Sequence, residues 1–180
     1  MRSSDSNEQR ITIVQGEYRV SSNPNVVLST LLGSCVAACI CDARSGVGGM
    51  NHFLLPGDLS GAPNDSERVG VHLMELLING LMSHGARRDF LEAKIFGGAA
   101  MMQHLGDIGA RNGEFAKRFL EYEGIQIVAA DLGGNRGRRL LYSPNTGRAK
   151  LSYIEESAVP RERPARARNP SSEGDYESFS

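Results

Sequence analysis

The sequence predicts an α+β domain in which mixed β-sheets pack with helices. Short apolar segments with strand-like alternation lie towards both ends of the chain, and helical patterns lie between them. The order of these segments is not the strict strand–helix alternation of a doubly wound sheet. With 180 residues, of which 40% are hydrophobic, the chain can bury a core without help from a metal ion or a disulfide.

The first third of the chain predicts paired strands. Residues 11–20, ITIVQGEYRV, alternate and are broken at Gly16, which predicts two short strands. Residues 36–42 and 47–55 predict a strand pair joined by a four-residue turn over 43–46. That turn places Asp42 opposite Val47, and the register of the whole pair follows from it.

The middle of the chain predicts helices. Asp65 or Ser66 begins a helix that ends at Gly85. A short strand over 93–99 leads into a helical segment, AMMQHL.

The remainder predicts one more helix and three strands. Asn112 is predicted to cap a helix that ends at Gly124, because asparagine favours N-cap positions and glycine favours the residue after a helix. A turn over 144–147 separates the last two strands. The three predicted strands are IQIVAADLG, RRLLYSP and RAKLSYI.

The composition of the ends predicts a flexible leader over residues 1–9 and a disordered tail over residues 156–180, with the folded domain over 10–155. The tail is rich in proline, arginine, serine and acids and holds few large apolar side chains. Its segment RERPARAR is either a solvated tail or a basic patch for an acidic partner.

Charge and cysteine usage bound the class of protein. The net charge of −1 argues against a nucleic-acid-binding protein, which would carry a basic excess. No signal peptide is evident, and the apolar run Val26–Cys41 is shorter than a membrane span. Three cysteines within seven residues are not a disulfide framework. We therefore expect a cytoplasmic protein without membrane insertion.

The hairpin register brings a thiol and an imidazole together. If Asp42 faces Val47, then His52 faces Ala37, and Cys35 becomes its diagonal neighbour on the same face, with Cβ atoms within about 7–8 Å. A thiolate nucleophile beside a histidine is the minimum for covalent catalysis at a carbonyl. Gly33 lets the backbone approach a substrate, and the Cys35 amide can hold an oxyanion.

The cysteines have two other interpretations. A buried cysteine is most often inert packing. A zinc site made of Cys35, Cys39, Cys41 and His52 conflicts with strand geometry, because Cys35 and Cys41 would lie about 20 Å apart. Cys39 and Cys41 are therefore expected to pack in the core.

Five segments resemble the CheD family of chemoreceptor glutamine deamidases. These are LGSCVAACICD (32–42), GGMNHFLLP (48–56), AKIFGGAAM (93–101), IGARN (108–112) and DLGGNRGRRLLYSPNTG (131–147). The resemblance covers about residues 11–153 in the same order. It implies an α+β cysteine-hydrolase fold of the deamidase type. The implied activity is hydrolysis of glutamine side chains on methyl-accepting chemotaxis receptors to glutamate and ammonia.

The resemblance also implies roles for individual residues. The nucleophile falls on Cys35 and the histidine on His52, with backbone amides around Gly33 and Ser34 for the oxyanion. The third catalytic position falls on Ser29, and the adjacent Thr30 offers the same hydroxyl. No metal or cofactor is implied.

The partners implied by the resemblance are the cytoplasmic helices of chemoreceptors and a CheC-type phosphatase. The main alternative function is a non-catalytic adaptor that binds chemoreceptors or such a phosphatase. Further alternatives are another thiol hydrolase and a redox sensor built on the cysteine cluster.

Overall fold

The computed structural model describes residues 7–56, 65–101 and 107–155. The predicted tail, most of the predicted leader and most of the AMMQHL segment lie outside these residues. Gln9, at the end of the predicted leader, already belongs to the first strand. In the described part of the chain, no helix is long and apolar enough to cross a bilayer.

The described residues form nine strands, two α-helices and one short 3₁₀ turn. The strands are β1 (Gln9–Thr12), β2 (Tyr18–Ser21), β3 (Val26–Leu32), β4 (Val36–Asp42), β5 (Val47–Phe53), β6 (Glu92–Gly97), β7 (Gln126–Leu132), β8 (Arg138–Ser143) and β9 (Arg148–Tyr153). The helices are α1 (Asp65–Ser83) and α2 (Ile108–Tyr122), and the 3₁₀ turn is Arg88–Phe90.

The strands form two mixed sheets. A four-stranded sheet has the order β1-β3-β8-β9, and a five-stranded sheet has the order β2-β5-β4-β6-β7. The β1–β3 and β6–β7 pairs are parallel, whereas the other pairs are antiparallel. The predicted α+β class with mixed sheets is confirmed.

Strand β4 divides the core into two layers. Val36, Ala38 and Ile40 pack with residues of α1 and α2, whereas Ala37 and Cys39 pack with residues of the four-stranded sheet. Every residue of β4 is buried because the strand is covered on both faces. The helices therefore lie on one face of the five-stranded sheet, and the other sheet lies on the opposite face.

The predicted hairpin has the predicted register. Asp42 lies opposite Val47, and Ala37 lies opposite His52. The Asp42 carboxylate fixes the turn, since it accepts hydrogen bonds from the backbone amides of Arg44 at 3.0 Å and Ser45 at 3.2 Å. Because directly opposed residues share a face, His52 lies on the side of β5 that faces the other sheet.

The predicted cap of α2 is wrong. The helix begins at Ile108, four residues before Asn112, and Asn112 is buried inside it. The early start depends on Gly109, where a Cβ atom would lie 2.4 Å from the carbonyl oxygen of Ala99. A glycine there lets the first turn of the helix pack against the loop that follows β6.

One strand was not predicted, and the two described residues of one predicted helix are not helical. Residues 26–32 form β3, which the continuous apolar run up to Cys41 does not reveal as a separate strand. Ala100 and Met101, the described part of the AMMQHL segment, are not helical.

Candidate active site

The imidazole of His52 is held by the hydroxyl of Thr30. Nδ1 of His52 lies 2.8 Å from Oγ1 of Thr30, and that oxygen lies 2.6 Å from the carbonyl oxygen of Ile13. A carbonyl oxygen only accepts, so the Thr30 hydroxyl donates to Ile13 and accepts from His52. The proton of a neutral His52 is thereby assigned to Nδ1, and Nε2 carries the lone pair.

The segment between β1 and β2 fixes the backbone of His52. The His52 amide donates to the carbonyl of Glu17 at 3.0 Å, and the Gly16 amide donates to the carbonyl of His52 at 2.8 Å. Gly16 has φ +88°, a conformation that favours glycine at this turn. His52 is only 6% exposed under this segment.

Cys35 lies at the entrance to β4, after a bend formed by Gly33 and Ser34. Its side chain is 3% exposed and packs between the two sheets, as His52 does. The thiol Sγ lies 3.8 Å from Oε1 of Gln15, an exposed side chain in the β1–β2 segment. The Cys35 thiol is therefore in contact with a carboxamide, on the same side of the five-stranded sheet as the His52 imidazole.

The loop after β6 holds the backbone on the other side of Cys35. The Gly98 amide donates to the Cys35 carbonyl at 2.8 Å, and the Ala99 amide donates to the Gly33 carbonyl at 3.0 Å. A Cβ atom at Gly97 would lie 2.2 Å from the Cys35 carbonyl oxygen, so only glycine permits this approach. The bend that carries the nucleophile is therefore tied to a second loop by its backbone.

A further loop supports the loop after β6. The guanidinium of Arg138, which is buried, donates to Asp131 at 2.9 Å and to the Gly133 carbonyl at 2.7 Å. The Gly133 amide in turn donates to the carbonyl of Gly97 at 3.0 Å. The glycine-rich motif over 131–139 thus forms a turn between β7 and β8 that backs the nucleophile region.

The structure brings Thr30 to His52 and places Ser29 elsewhere. Thr30 is buried and lies opposite Leu140, which packs between the sheets. Ser29 lies opposite Leu141, so strand alternation puts its side chain on the other face of β3. Of the two hydroxyls considered from the sequence, the Thr30 hydroxyl is the one positioned to orient the imidazole.

Cys39 and Cys41 lie within β4, whereas Cys35 precedes the strand, and their surroundings differ from those of Cys35. Burial is the main cause that raises the pKa of both thiols above the ordinary value for cysteine. Such thiols stay protonated and are poor nucleophiles, which agrees with the packing role expected for them.

Two residues of this region were not identified as part of the site from the sequence. Gln15 contacts the thiol, and Asn112 donates to the carbonyl of Ser34 at 2.8 Å. Neither carried a sequence signal, since Gln15 directly precedes the predicted break at Gly16 and Asn112 resembled a helix cap. Their proximity to Cys35 arises only from tertiary packing.

Comparison with known proteins adds a family context to this geometry. The family model described as CheD chemotactic sensory transduction matches residues 54–153. A probable chemoreceptor glutamine deamidase CheD of Sinorhizobium medicae is 57% identical over 144 residues, 79% of this chain and 79% of its own length. The protein of that name from Rhizobium etli is 52% identical over 169 residues, 90% of this chain and 92% of its own. The one from Acidiphilium cryptum is 56% identical over 149 residues, 81% and 78% of the two chains.

Similarity to solved structures is distant. A protein of Neisseria meningitidis aligns over 71% of this chain and 63% of its own, with a TM-score of 0.43 and 12% sequence identity.

Proposed function

Because the chain belongs to the CheD family, we propose that it is a protein-glutamine glutaminase that deamidates chemoreceptors. Its substrates are specific glutamines on methyl-accepting chemotaxis receptors, and its products are glutamate side chains and ammonia. Cys35 is the nucleophile, His52 is the acid and base, and Thr30 orients His52. The observation that carries this assignment is the Thr30–His52 hydrogen bond, which directs the second imidazole nitrogen to proton transfer in a chain of this family.

The first half of the reaction forms a thioester. Nε2 of His52 takes the proton of the Cys35 thiol, and the thiolate forms a bond to Cδ of the substrate glutamine while the carbonyl becomes an oxyanion. The backbone amide of Cys35, at the Gly33–Ser34 bend, donates to that oxyanion. His52 then gives its proton to the amide nitrogen, the C–N bond breaks, and ammonia leaves.

The second half returns the enzyme to its starting state. Water attacks the thioester carbon while His52 takes its proton, and a second oxyanion forms at the same position. Collapse of this intermediate breaks the C–S bond and releases the glutamate side chain and the Cys35 thiolate. The thiolate regains its proton from His52. The net change is the exchange of an amide NH₂ for a hydroxyl, and no redox step is involved.

The Thr30 hydroxyl contributes in both halves through the imidazole. When His52 becomes doubly protonated, its Nδ1–H keeps the hydrogen bond to Thr30, which in turn donates to the Ile13 carbonyl. This chain of hydrogen bonds lets the imidazolium form without moving the ring. The neighbouring backbone hydrogen bonds of Gly16 and Glu17 hold the residue in place while the proton moves.

Substrate choice requires more than the glutamine side chain. A single carboxamide offers little binding energy, so the surrounding surface must dock the receptor's cytoplasmic helices to select particular glutamines. We accordingly propose that the protein acts in the cytoplasm. A CheC-type phosphatase is the second proposed partner, on the family resemblance alone.

The proposal is tested with the purified chain and a receptor cytoplasmic fragment. Mass spectrometry of the fragment should show glutamine converted to glutamate at a small number of sites, without cleavage of the chain. Fragments of the receptor would indicate a thiol protease instead. Binding of the receptor without any mass change would indicate the non-catalytic adaptor.

A further inference from the structure

We propose that Asn112 is a positioning residue for the reaction, acting by fixing the peptide bond between Ser34 and Cys35. Its side-chain amide holds the carbonyl of that peptide, so that the N–H of Cys35 is directed to the substrate oxyanion. This inference rests on the proposed deamidase function and adds to it a residue far from the nucleophile in sequence.

The side chain of Asn112 joins two segments of the site. It is 0% exposed in α2, and its Nδ2 donates to the carbonyl oxygen of Ser34 at 2.8 Å. Its Oδ1 accepts from the amide of Leu55 at 3.0 Å. Ser34 directly precedes the nucleophile, and Leu55 follows His52 by three residues. One carboxamide therefore ties the nucleophile bend to the segment that follows β5, the strand that carries the histidine.

The orientation of the peptide follows from its planarity. In a trans peptide, the carbonyl oxygen and the N–H of the next residue point in opposite directions. Because Asn112 lies on α2, which packs on the helical face of the sheet, it holds the Ser34 carbonyl towards that face. The N–H of Cys35 is then directed to the opposite face, between the sheets, where the Cys35 side chain lies.

The peptides on either side are held by the loop after β6, since the amides of Ala99 and Gly98 donate to the carbonyls of Gly33 and Cys35. The carbonyl of the peptide between them is held by Asn112. A preorganised donor is valuable because it does not have to turn when charge develops on the substrate. Asn112 therefore constrains the one peptide of the bend whose N–H belongs to the nucleophile.

A second buried asparagine provides a matched control. Asn51 is also 0% exposed, its Oδ1 accepts from the Ala38 amide at 3.0 Å, and its Nδ2 donates to the Leu73 carbonyl at 3.3 Å. It ties β4 to α1 in the way that Asn112 ties the nucleophile bend to β5. Replacing it costs a comparable pair of buried hydrogen bonds without touching the Ser34–Cys35 peptide.

The test compares Asn112→Asp with Asn51→Asp in the full chain. Either change keeps the accepting oxygen and replaces the donor nitrogen by an oxygen, which repels the facing carbonyl. Urea unfolding followed by circular dichroism gives the folded fraction of each variant, from which the number of titrated sites is taken, and kcat and KM are measured on a receptor fragment. We expect Asn112→Asp to lower kcat per titrated site roughly 10- to 100-fold with little change in KM, because one oxyanion donor is lost or misdirected. Asn51→Asp should keep its kcat per titrated site.

The outcomes separate this inference from the proposed function. If the wild-type chain deamidates the receptor fragment and the two variants have the same kcat per site, the positioning role of Asn112 is overturned and the deamidase function stands. A wild-type chain without deamidation would overturn the function itself.

A measurement on the wild-type chain covers the case in which Asn112→Asp does not fold. A peptide aldehyde whose aldehyde replaces the glutamine amide forms a tetrahedral adduct with the Cys35 thiol. We expect the amide proton of Cys35 to move downfield in the NMR spectrum of the adduct, because it donates to the new oxygen. An amide proton that does not move would show that the Ser34–Cys35 peptide is not the donor, and would contradict the inference.

Discussion

The 2.8 Å hydrogen bond between Nδ1 of His52 and Oγ1 of Thr30 joins the five-stranded sheet to the four-stranded sheet at the candidate active site. Since the same hydroxyl donates to the Ile13 carbonyl, it can accept only from a protonated Nδ1. The packing of the two sheets therefore decides which nitrogen of His52 is left for proton transfer in the proposed reaction.

Thr30→Ala should reduce the deamidation rate more than Ser29→Ala. Removal of the Thr30 hydroxyl leaves the imidazole free to rotate and to change tautomer, and we expect a loss of roughly 10- to 100-fold in kcat. Ser29 points away from His52, so its loss should have little effect. Thr30→Ser, which keeps the hydroxyl, should recover most of the rate. A larger loss of rate for Ser29→Ala than for Thr30→Ala would assign the third catalytic position to Ser29.

The thiols of Cys39 and Cys41 should be structural. Cys39→Ala and Cys41→Ala should retain kcat and lower the free energy of unfolding by roughly 1–2 kcal/mol, as most buried substitutions do. Because burial raises the pKa of both thiols, iodoacetamide at neutral pH should label Cys35 first. Peptide mapping after brief labelling checks the order. Earlier labelling of Cys39 or Cys41 would contradict this ranking.

The Gln15 carboxamide that contacts the Cys35 thiol is uncharged. Introducing a charge at this position should therefore change the reactivity of the thiol. Gln15→Glu places a carboxylate beside Cys35 and disfavours the thiolate. We expect the pH for half-maximal alkylation of Cys35 to rise by about one unit, with a smaller rise at high salt because the side chain is exposed. Gln15→Met is the uncharged control and should leave that pH unchanged. Equal alkylation profiles for the wild type and Gln15→Glu would show that the two groups do not interact.

The carboxylate of Asp42 should make stability depend on acid pH. Burial by itself raises the pKa of Asp42, but hydrogen bonds from the Ser45 hydroxyl and from the amides of Arg87, Ser45 and Arg44 outweigh it, and the net pKa is below the ordinary 3.8. A depressed folded-state pKa contributes stability above the unfolded pKa, and this is lost as pH falls through the folded value. The stability difference between the wild type and Asp42→Asn should therefore shrink below about pH 4. Urea unfolding at several pH values checks it. Asp89→Asn, at an exposed position of the 3₁₀ turn, is the control.

The hairpin and its register could be predicted because they depend on local information. A four-residue turn over 43–46 sets which residues of β4 and β5 face each other, and alternation then assigns each side chain to a face. The shared face of Cys35 and His52 followed from those two facts alone. The helix from Asp65 to Ser83 was predictable for a similar reason, since its apolar pattern and the glycine after it are local signals.

The identity of the hydroxyl partner could not be predicted in this way. It depends on which face of β3 meets His52, and β3 pairs with β1 and β8, which are distant in the chain. The same limit explains why the position of Asn112 inside α2 could not be predicted. An asparagine before a helical pattern is most often a cap, and nothing local distinguishes it from one buried within the helix that bonds to Ser34.

The account depends most directly on Cys35 as the nucleophile. The decisive measurement follows, by mass spectrometry, the conversion of glutamine to glutamate on a receptor fragment. It compares the Cys35→Ala variant with the wild type and with Cys39→Ala. The account predicts no conversion by Cys35→Ala, with an unchanged circular dichroism spectrum and unchanged receptor binding, and full conversion by Cys39→Ala. Conversion by Cys35→Ala at the wild-type rate would contradict it.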